Sequence, residues 1–398
     1  MKRSIRHQSR GAVSIFVVIF STLLITTIVL GFVKFMLQEQ RQATAADLSQ
    51  SALNSAQAGV EDAKRALVRY RNHCLNSTAA MTTDECVKLD LALRNSSNCN
   101  TIQTAGIAGS PDDKEVVVRQ TSSDADELLQ QAYTCVKIQM NTTDYIGQLP
   151  AGGSRMIPLK GTGDFNRVEI EWYSQADLKE SSDSTEEQTV ELSTDSSLPK
   201  LADWSRSRPA LLRAQLIQFG TRFDLSDFDK TDDGTSNTHT LFLNPSEAGR
   251  EQLSFADDAR LSAITGSLQQ VACDRNFSTV SADRMYACKA TISLPNAVGQ
   301  DDLKRTAYLR LNGLYNDRTS FRVQLARDDQ RVTFNSVQPI VDSTGRANDL
   351  FRRVQSRVEI DNSTFPFPQS TLDLSGSLCK TFLVTDKVSD YVEGRCSE

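Results

Sequence analysis

The chain has 398 residues, of which 39% are hydrophobic and 24% charged, and its formal net charge is -6. This is the composition of a globular protein that is long enough to form more than one domain. Four of the 44 basic residues lie within the first ten positions, so the rest of the chain is distinctly acidic, which argues against a nucleic-acid binder because phosphate contacts need a basic surface.

An uncharged apolar segment covers residues 12–33. As an α-helix rises about 1.5 Å per residue, this segment would span about 33 Å, enough to cross a hydrocarbon core of ~30 Å. Lys34 ends the segment, and its ammonium group can extend to the membrane interface. The sequence therefore predicts a transmembrane helix over residues 12–36. The basic residues before it predict a cytoplasmic N-terminus and an exported body.

The helical pattern continues past the apolar segment. Apolar or small residues recur at steps of three and four, which places them on one stripe of an α-helix. They are Leu48, Ala52, Ala56, Val60, Ala63 and Leu67. We therefore predict one helix over about residues 14–71, and we assign residues 37–72 to the amphipathic continuation of the membrane segment. A transmembrane helix followed by a separate coiled-coil-like stalk is an alternative.

A cleavable secretory signal is a second alternative. Ala43 and Ala45 have the small-x-small spacing of a signal cleavage site. However, the apolar region of such a signal is usually about 7–15 residues long, and the region here is longer. The site also lies inside the predicted helix, which makes cleavage there awkward.

The N-terminal region resembles the class III leader of type IV pilins and pseudopilins. A short basic leader ends in Gly11, a small residue follows, and a long apolar helix continues into an Ala-rich amphipathic half. The pattern is most similar to the PilX-like minor pilins. The resemblance covers residues 1–72 and implies that a prepilin peptidase removes the leader, residues 1–11, and that Ala12 becomes the methylated N-terminus. It also implies that the subunit is held in the membrane before assembly and then packs against other pilins through this helix.

One position departs from the major pilins. Their fifth mature residue is a glutamate that pairs with the N-terminal amine of a neighbouring subunit, whereas Phe16 occupies that position here. The difference favours a minor, initiating or tip subunit over a bulk fibre subunit. It also leaves open a simple signal-anchored protein.

The rest of the chain is predicted to be rich in β-strands. Residues 74–101 are predicted to be a loop held by disulfides, and residues 177–199, which are acidic and rich in Ser and Thr, to be a linker between two regions, 73–176 and 200–398. The one helix predicted beyond the linker covers residues 256–268. The strand pattern covers residues 133–140, 167–173, 211–219, 238–243, 286–294, 307–314, 321–326 and 354–360. The predicted fold class is therefore α+β, with a long pilin-like helix before a large β-rich extracellular head that has two lobes.

Eight cysteines lie beyond the apolar segment, and none form a C-x-x-C pair. They are Cys74, Cys86, Cys99, Cys135, Cys273, Cys288, Cys379 and Cys396. In an exported chain disulfides are the expected state of such cysteines. Nearness along the chain suggests pairing of Cys273 with Cys288 and of Cys379 with Cys396, although sequence alone does not determine connectivity.

Few residues suggest a cofactor or a reaction. Asp229 and Asp233 are spaced as in the first half of a calcium-binding loop, but Thr240 stands where that loop needs a bidentate glutamate. An acidic surface loop is the alternative, and no other cofactor is expected. Common hydrolase and nucleotide-binding motifs are missing from the sequence, so we do not expect an enzyme.

Two groups of aromatic residues, Trp172–Tyr173 and the FPFP segment at residues 365–368, suggest contact with a host cell or another surface ligand. Core packing is the alternative for both.

The sequence therefore predicts a minor type IV pilus subunit that acts in pilus assembly or at the tip, in adhesion or motility. Its partners would be other pilins, the prepilin peptidase and the inner-membrane assembly platform, with no direct contact to nucleic acid. A pseudopilin of a secretion system, and a single-pass surface adhesin that never polymerises, are the alternatives. The predicted location is the cell membrane before assembly and the pilus or cell surface afterwards.

Overall fold

The computed structural model describes residues 11–75, 80–110, 112–118, 130–150, 152–181, 189–192, 204–219, 231–232, 235–236, 238–255, 268–275, 285–299, 306–315 and 318–360. In this part of the chain, a long apolar N-terminal helix precedes a β-rich region, so the fold class is α+β. The chain forms two compact units. The first contains residues 1–139 and 340–358, and the second contains residues 140–339 and 359–398.

The described helices and strands are numbered here in chain order. The α-helices are α1 (Gly11–Arg69), α2 (Asp84–Arg94), α3 (Thr101–Thr104) and α4 (Gln175–Ser181). The strands are β1 (Val116–Val117), β2 (Ala132–Thr142), β3 (Tyr145–Pro150), β4 (Ser154–Pro158), β5 (Phe165–Ser174), β6 (Leu211–Phe219), β7 (Thr231–Asp232), β8 (Thr235–Ser236), β9 (Thr238–Ser246), β10 (Gln252–Ser254), β11 (Leu268–Ala272), β12 (Tyr286–Val298), β13 (Thr306–Leu314), β14 (Arg318–Arg327), β15 (Gln330–Val332), β16 (Phe334–Ala347) and β17 (Leu350–Arg357).

The first unit combines the long helix with a four-stranded sheet. Helix α1 is 59 residues long and continues into a π-helical turn, Tyr70–Cys74, which confirms one uninterrupted helix. The sheet order is β1-β2-β16-β17. Strands β16 and β17 form an antiparallel hairpin in which Ala347 is opposite Leu350.

The predicted helical stripe is buried in this unit from Ala52 onward, whereas Leu48 at its start is only partly buried. Ala52, Ala56, Ala63 and Leu67 are fully buried, and Val60 is 5% exposed. The spacing of three and four residues turned these side chains to one side, as expected for an amphipathic helix packed on a sheet.

The second unit contains two sheets that share one hydrophobic core. The six-stranded sheet has the order β10-β12-β5-β14-β15, with β3 also paired to β14, and the five-stranded sheet has the order β11-β9-β6-β13-β4. Alternate residues on the central strands face this core. Val168, Ile170 and Trp172 do so from β5, and Leu212 and Leu216 from β6.

The other face of the six-stranded sheet carries paired charges. Glu171 on β5 lies opposite Lys289 on β12 and Arg322 on β14, and it accepts a short hydrogen bond from Arg322. Glu169 pairs with Lys289 at 3.2 Å and with Arg331 at 2.7 Å. The carboxylates of Glu169 and Glu171 are therefore both compensated by cations.

Some sequence-based predictions need correction. The predicted loop over residues 74–101 contains an 11-residue helix, α2, whose N-cap Thr83 accepts a hydrogen bond from the amide of Cys86. The last predicted strand, 354–360, is shifted toward the N-terminus, since β17 is Leu350–Arg357. The helix predicted over residues 256–268 lies outside the described residues apart from Leu268, which begins β11.

The predicted division at residues 177–199 does not match the structure. Strand β5, before this segment, pairs with β12 and β14, which follow it, so its two sides belong to the same sheet. The described parts of the segment are also ordered into the core, because Leu178, Val190 and Leu192 are buried. The linker prediction was based on the average composition of the segment, which gives little weight to these few apolar residues.

The aromatic pair at Trp172 and Tyr173 belongs to the core, since both side chains are fully buried. The indole N–H of Trp172 donates to the carbonyl oxygen of Ala210 at 3.0 Å, and the hydroxyl of Tyr173 donates to the carbonyl oxygen of Arg206 at 3.0 Å. Core packing is therefore the correct interpretation of this pair. The FPFP segment lies outside the described residues.

Candidate membrane and assembly helix

The first half of helix α1 presents apolar side chains on every side. From Ile15 to Leu37 its large hydrophobic residues are between about half and three quarters exposed, for example Ile15 at 63%, Phe16 at 75% and Leu37 at 52%. Its mean hydropathy reaches 2.6 over a window in which no residue is buried. Among the described residues, this is the one helix that is long and apolar enough to cross a membrane, and it is compatible with a single-pass anchor.

Three threonine hydroxyls in this half are satisfied within the helix. Thr22 donates to the carbonyl oxygen of Ile19 at 2.9 Å, and Thr26 donates to that of Thr22 at 2.7 Å. Thr27 donates to the carbonyl oxygens of Leu23 and Leu24. Because these hydroxyls already have acceptors, they carry little penalty in an apolar environment.

The second half of α1 packs closely against the four-stranded sheet of the same unit. A Cβ atom added at Gly345, on β16, would overlap the backbone of Ala52 and Ala56. A Cβ atom added at Gly59 would lie 2.9 Å from Val136 and 3.1 Å from Tyr133. Glycine on both elements therefore allows the helix and the sheet to approach to backbone contact.

Polar contacts also connect this half of the helix to the sheet. The hydroxyl of Tyr133, on β2, donates to Asp62 at 2.7 Å. Burial, followed by this hydrogen bond and the charge of Asp62, raises the pKa of Tyr133 well above its usual value. On β17, the guanidinium of Arg352 donates to the hydroxyl of Ser49 at 2.8 Å. These contacts add directional bonds to the apolar stripe.

Two disulfides close the segment that follows the helix. Cys74 at the end of the π-helical turn is bonded to Cys86 in α2. Cys99 is bonded to Cys135 on β2. The end of the long helix is therefore covalently joined to α2, and the segment before α3 is joined to the sheet.

The third disulfide, Cys273–Cys288, lies in the second unit. It joins the two cysteines that nearness along the chain suggested. No described cysteine is free. Cys379 and Cys396 lie outside the described residues.

The structure places the predicted cleavage residues at the beginning of α1. Gly11 and Ala12 are its first two residues, and the leader before them lies outside the described residues. Phe16 is exposed on the apolar half. The structure therefore continues the helical backbone to the predicted cleavage point.

The predicted calcium ligands Asp229 and Asp233 lie outside the described residues. Within the described ranges, no group of three or more His, Cys, Asp or Glu side chains could hold a metal ion. The sequence pattern does not predict the glycine contacts at Gly59 and Gly345. The one available signal was a glycine within an otherwise regular helix or strand, which can indicate a close approach of two backbones.

Comparison of the chain with protein-family models, with curated proteins and with solved structures gives no match.

Proposed function

We propose that this chain is a minor subunit of a type IV pilus, similar to the PilX-like minor pilins, or of the related pseudopilin fibres. One observation carries the proposal: a single helix has a bare apolar first half and a second half packed on a β-sheet. The bare half serves first as a membrane anchor with the body outside the cytoplasm, and then as the contact between neighbouring subunits.

The physical chemistry of α1 suits both states. In lipid, a helix satisfies its own backbone hydrogen bonds, and its apolar side chains are in a matching environment. Transfer into a bundle of similar helices gains little hydrophobic free energy, so association depends on close packing and an external motor. The satisfied hydroxyls of Thr22, Thr26 and Thr27 can enter such a bundle without a polar penalty.

Phe16 determines which kind of subunit we propose. A carboxylate at this position would attract the N-terminal amine of a neighbouring subunit, and phenylalanine provides no such ion pair. A subunit without it is better suited to an initiating, tip or decorating position than to the repeating fibre. The head would then support adhesion or motility.

Intact-mass measurement of the native membrane form tests the proposal. We expect loss of residues 1–11 and the added mass of one methyl group on Ala12. A Gly11→Ala variant should accumulate uncleaved and unmethylated. Gly31→Ala is the matched control, because a Cβ atom at Gly31 meets nothing within 4 Å, and it should be processed normally.

Fractionation then separates a fibre subunit from a simple anchor. We expect a small part of the processed chain to be recovered with sheared pili or pseudopili. A chain that keeps its first 11 residues, or that is found only as a monomer in the membrane, would contradict the proposal.

A further inference from the structure

Strand β17 forms one edge of the four-stranded sheet, whose order is β1-β2-β16-β17. It is eight residues long and contains neither proline nor glycine. The other edge strands in the described part of the chain have between two and six residues, and two of them, β3 and β4, end in proline. A long and regular edge can accept a further strand, so β17 is the described edge that is best suited to bind an extended segment.

Every second residue of β17 directs its backbone hydrogen-bonding groups away from the sheet. The hairpin turn contains two residues, between Ala347 and Leu350, and the residues that flank such a turn form a hydrogen-bonded pair. Bonded and non-bonded pairs then alternate, so Phe351, Arg353 and Gln355 direct their N–H and C=O groups toward the open side of β17. No backbone group in the described ranges bonds to these three residues on that side.

The side chains of this edge are accessible in the described structure. Phe351 is 54% exposed, the side chain of Arg353 is 70% exposed, and Arg352 and Gln355 are also exposed. Successive side chains point to opposite faces of the sheet. Arg352 lies on the face that packs on α1, where it donates to the hydroxyl of Ser49 at 2.8 Å, and Phe351 and Arg353 lie on the other face. A strand added at this edge therefore meets an arginine on each face.

The edge is cationic. Strand β17 contains three arginines and no acidic residue. Arg353 donates to the carboxylate of Asp342 on β16 through two of its nitrogens, whereas the partner of Arg352 is the Ser49 hydroxyl and, among the described residues, no carboxylate. Because a guanidinium has five N–H donors, Arg352 and Arg353 both retain donors for an incoming carboxylate.

A second copy of the chain does not fit this edge. Pairing two β17 strands in the registers that join most of their length places arginines of the two copies opposite or diagonal to each other. Like charges at such positions of a sheet are destabilising. The occupant of the edge therefore has to be a different segment, and one that supplies carboxylates.

We propose that the open edge of β17 binds an extended acidic segment of a partner protein as an additional strand. Backbone hydrogen bonds to Phe351, Arg353 and Gln355 hold the added strand. Two consecutive acidic residues of the partner face Arg352 and Arg353, one on each face of the sheet. An apolar side chain next to the acidic pair packs on the ring of Phe351. The inference concerns the first unit alone and does not depend on a pilus function.

Binding of a synthetic peptide to the full chain tests the charge requirement. The peptide is capped at both ends and fluorescently labelled, and Thr and Val alternate on either side of a central Glu-Glu pair; in the control peptide this pair is Lys-Lys. The chain is purified in an uncharged polyoxyethylene detergent, and binding is measured by fluorescence anisotropy. We expect the acidic peptide to bind and the basic peptide not to bind.

Two arginine variants test where the acidic peptide binds. Arg352→Gln should weaken binding about fivefold at low ionic strength, and the difference from the wild type should shrink as salt is added, because the lost ion pair is exposed to solvent. Arg41→Gln is the matched control. It makes the same charge change at an exposed position of α1, and it should bind the peptide like the wild type.

Backbone methylation separates strand addition from simple charge attraction. Two acidic peptides of the same sequence are N-methylated on one or the other set of alternate residues. Only one set of amides faces β17 in an added strand, so only one of the two peptides should lose binding. When the unmethylated peptide binds, the amides of Phe351, Arg353 and Gln355 should become protected from hydrogen exchange, whereas the amide of Arg352, which already bonds to β16, should change little.

A proline variant tests the same edge from the side of the protein. Gln355→Pro removes an N–H group that points away from β16, so it should weaken peptide binding while thermal stability stays close to that of the wild type. Failure of the acidic peptide to bind, equal binding of the Lys-Lys peptide, equal loss with both methylated peptides, or equal loss in the Arg41 and Arg352 variants would overturn the proposal.

Discussion

Gly345 on β16 lies against the backbone of Ala56 in helix α1, with no room for a side chain between them. Both residues belong to the first unit, and Ala56 is fully buried. The contact brings the second half of the helix onto the sheet at the closest distance that two backbones allow. It explains why the buried stripe of α1 is rich in alanine, since a larger residue would hold the two elements apart.

Gly345→Ala should therefore destabilise the protein. The added methyl group overlaps the helix backbone, which cannot move as a flexible side chain would, and overpacking of this kind typically costs about 1–3 kcal/mol. Urea unfolding of the detergent-solubilised chain, followed by circular dichroism, measures the loss. Gly313→Ala is the control, because its Cβ atom would be 3.7 Å from Leu149. Equal stability of the two variants would show that the helix does not rest on Gly345.

The disulfides of the first unit should contribute unequally to its stability. Cys99–Cys135 closes a separation of 36 residues and Cys74–Cys86 one of 12. In the chain-entropy account, these loops correspond to about 4 and about 3 kcal/mol. We expect the double serine variant at 99 and 135 to unfold at a lower urea concentration than the variant at 74 and 86. The reverse order would mean that native-state contacts, rather than loop closure, dominate.

Removing only one partner of the ion pair between Glu171 and Arg322 should destabilise the protein more than removing both. Glu171 is 4% exposed, so Arg322→Met leaves a buried carboxylate without its closest cation, at a cost of about 3–5 kcal/mol. The double variant Glu171→Leu with Arg322→Met should recover most of that loss, because neither charge is then buried. Urea unfolding of the two single variants and the double variant provides the coupling free energy.

Arg327→Met is the control for this cycle. Its partner Asp164 lies 3.0 Å away, and both side chains are about half exposed. Such surface pairs contribute about 0–1 kcal/mol. If loss of Arg322 were no more costly than loss of Arg327, the pair between Glu171 and Arg322 would be exchanging with solvent.

The sequence predicts the elements whose pattern is local. The stripe from Ala52 to Leu67 has helical spacing, and β6, Leu211–Phe219, alternates as a half-buried strand, so both could be predicted within a few residues. Strand β16 was missed because Pro339 and Gly345 interrupt its pattern, although it runs from Phe334 to Ala347. The identities of the neighbouring strand residues do not reveal which glycine faces a helix.

The neighbours across the five-stranded sheet could not be predicted for a different reason. Arg213 and Arg310 are separated by almost a hundred positions, and only the register between β6 and β13 brings them together. The prediction of a linker at residues 177–199 was wrong for another reason. Its composition is polar on average, but three of its apolar residues are buried in the core: Leu178, Val190 and Leu192. Composition therefore predicts neither which distant strands pair nor which isolated apolar residues of a polar segment are buried.

Stability of the second unit should decrease in alkaline solution partly because of Tyr286. Burial, with the nearby charges of Arg322 and Glu171 acting in opposite directions, raises the pKa of Tyr286 to about 12, compared with about 10 in an unfolded chain. The folded state therefore favours the neutral phenol. Its contribution is fully present below about pH 10 and is lost as the pH rises toward about 12.

Tyr286→Phe removes this titration but keeps a ring beneath the guanidinium of Arg322, which lies 5.4 Å from the ring centroid. The variant and the wild type should have similar urea midpoints at neutral pH. Above about pH 10, the wild type should lose stability faster than the variant. Comparison with Tyr315→Phe, at a residue that is 40% exposed, separates this effect from general alkaline unfolding. Parallel curves for the wild type and Tyr286→Phe would contradict a raised pKa at this position.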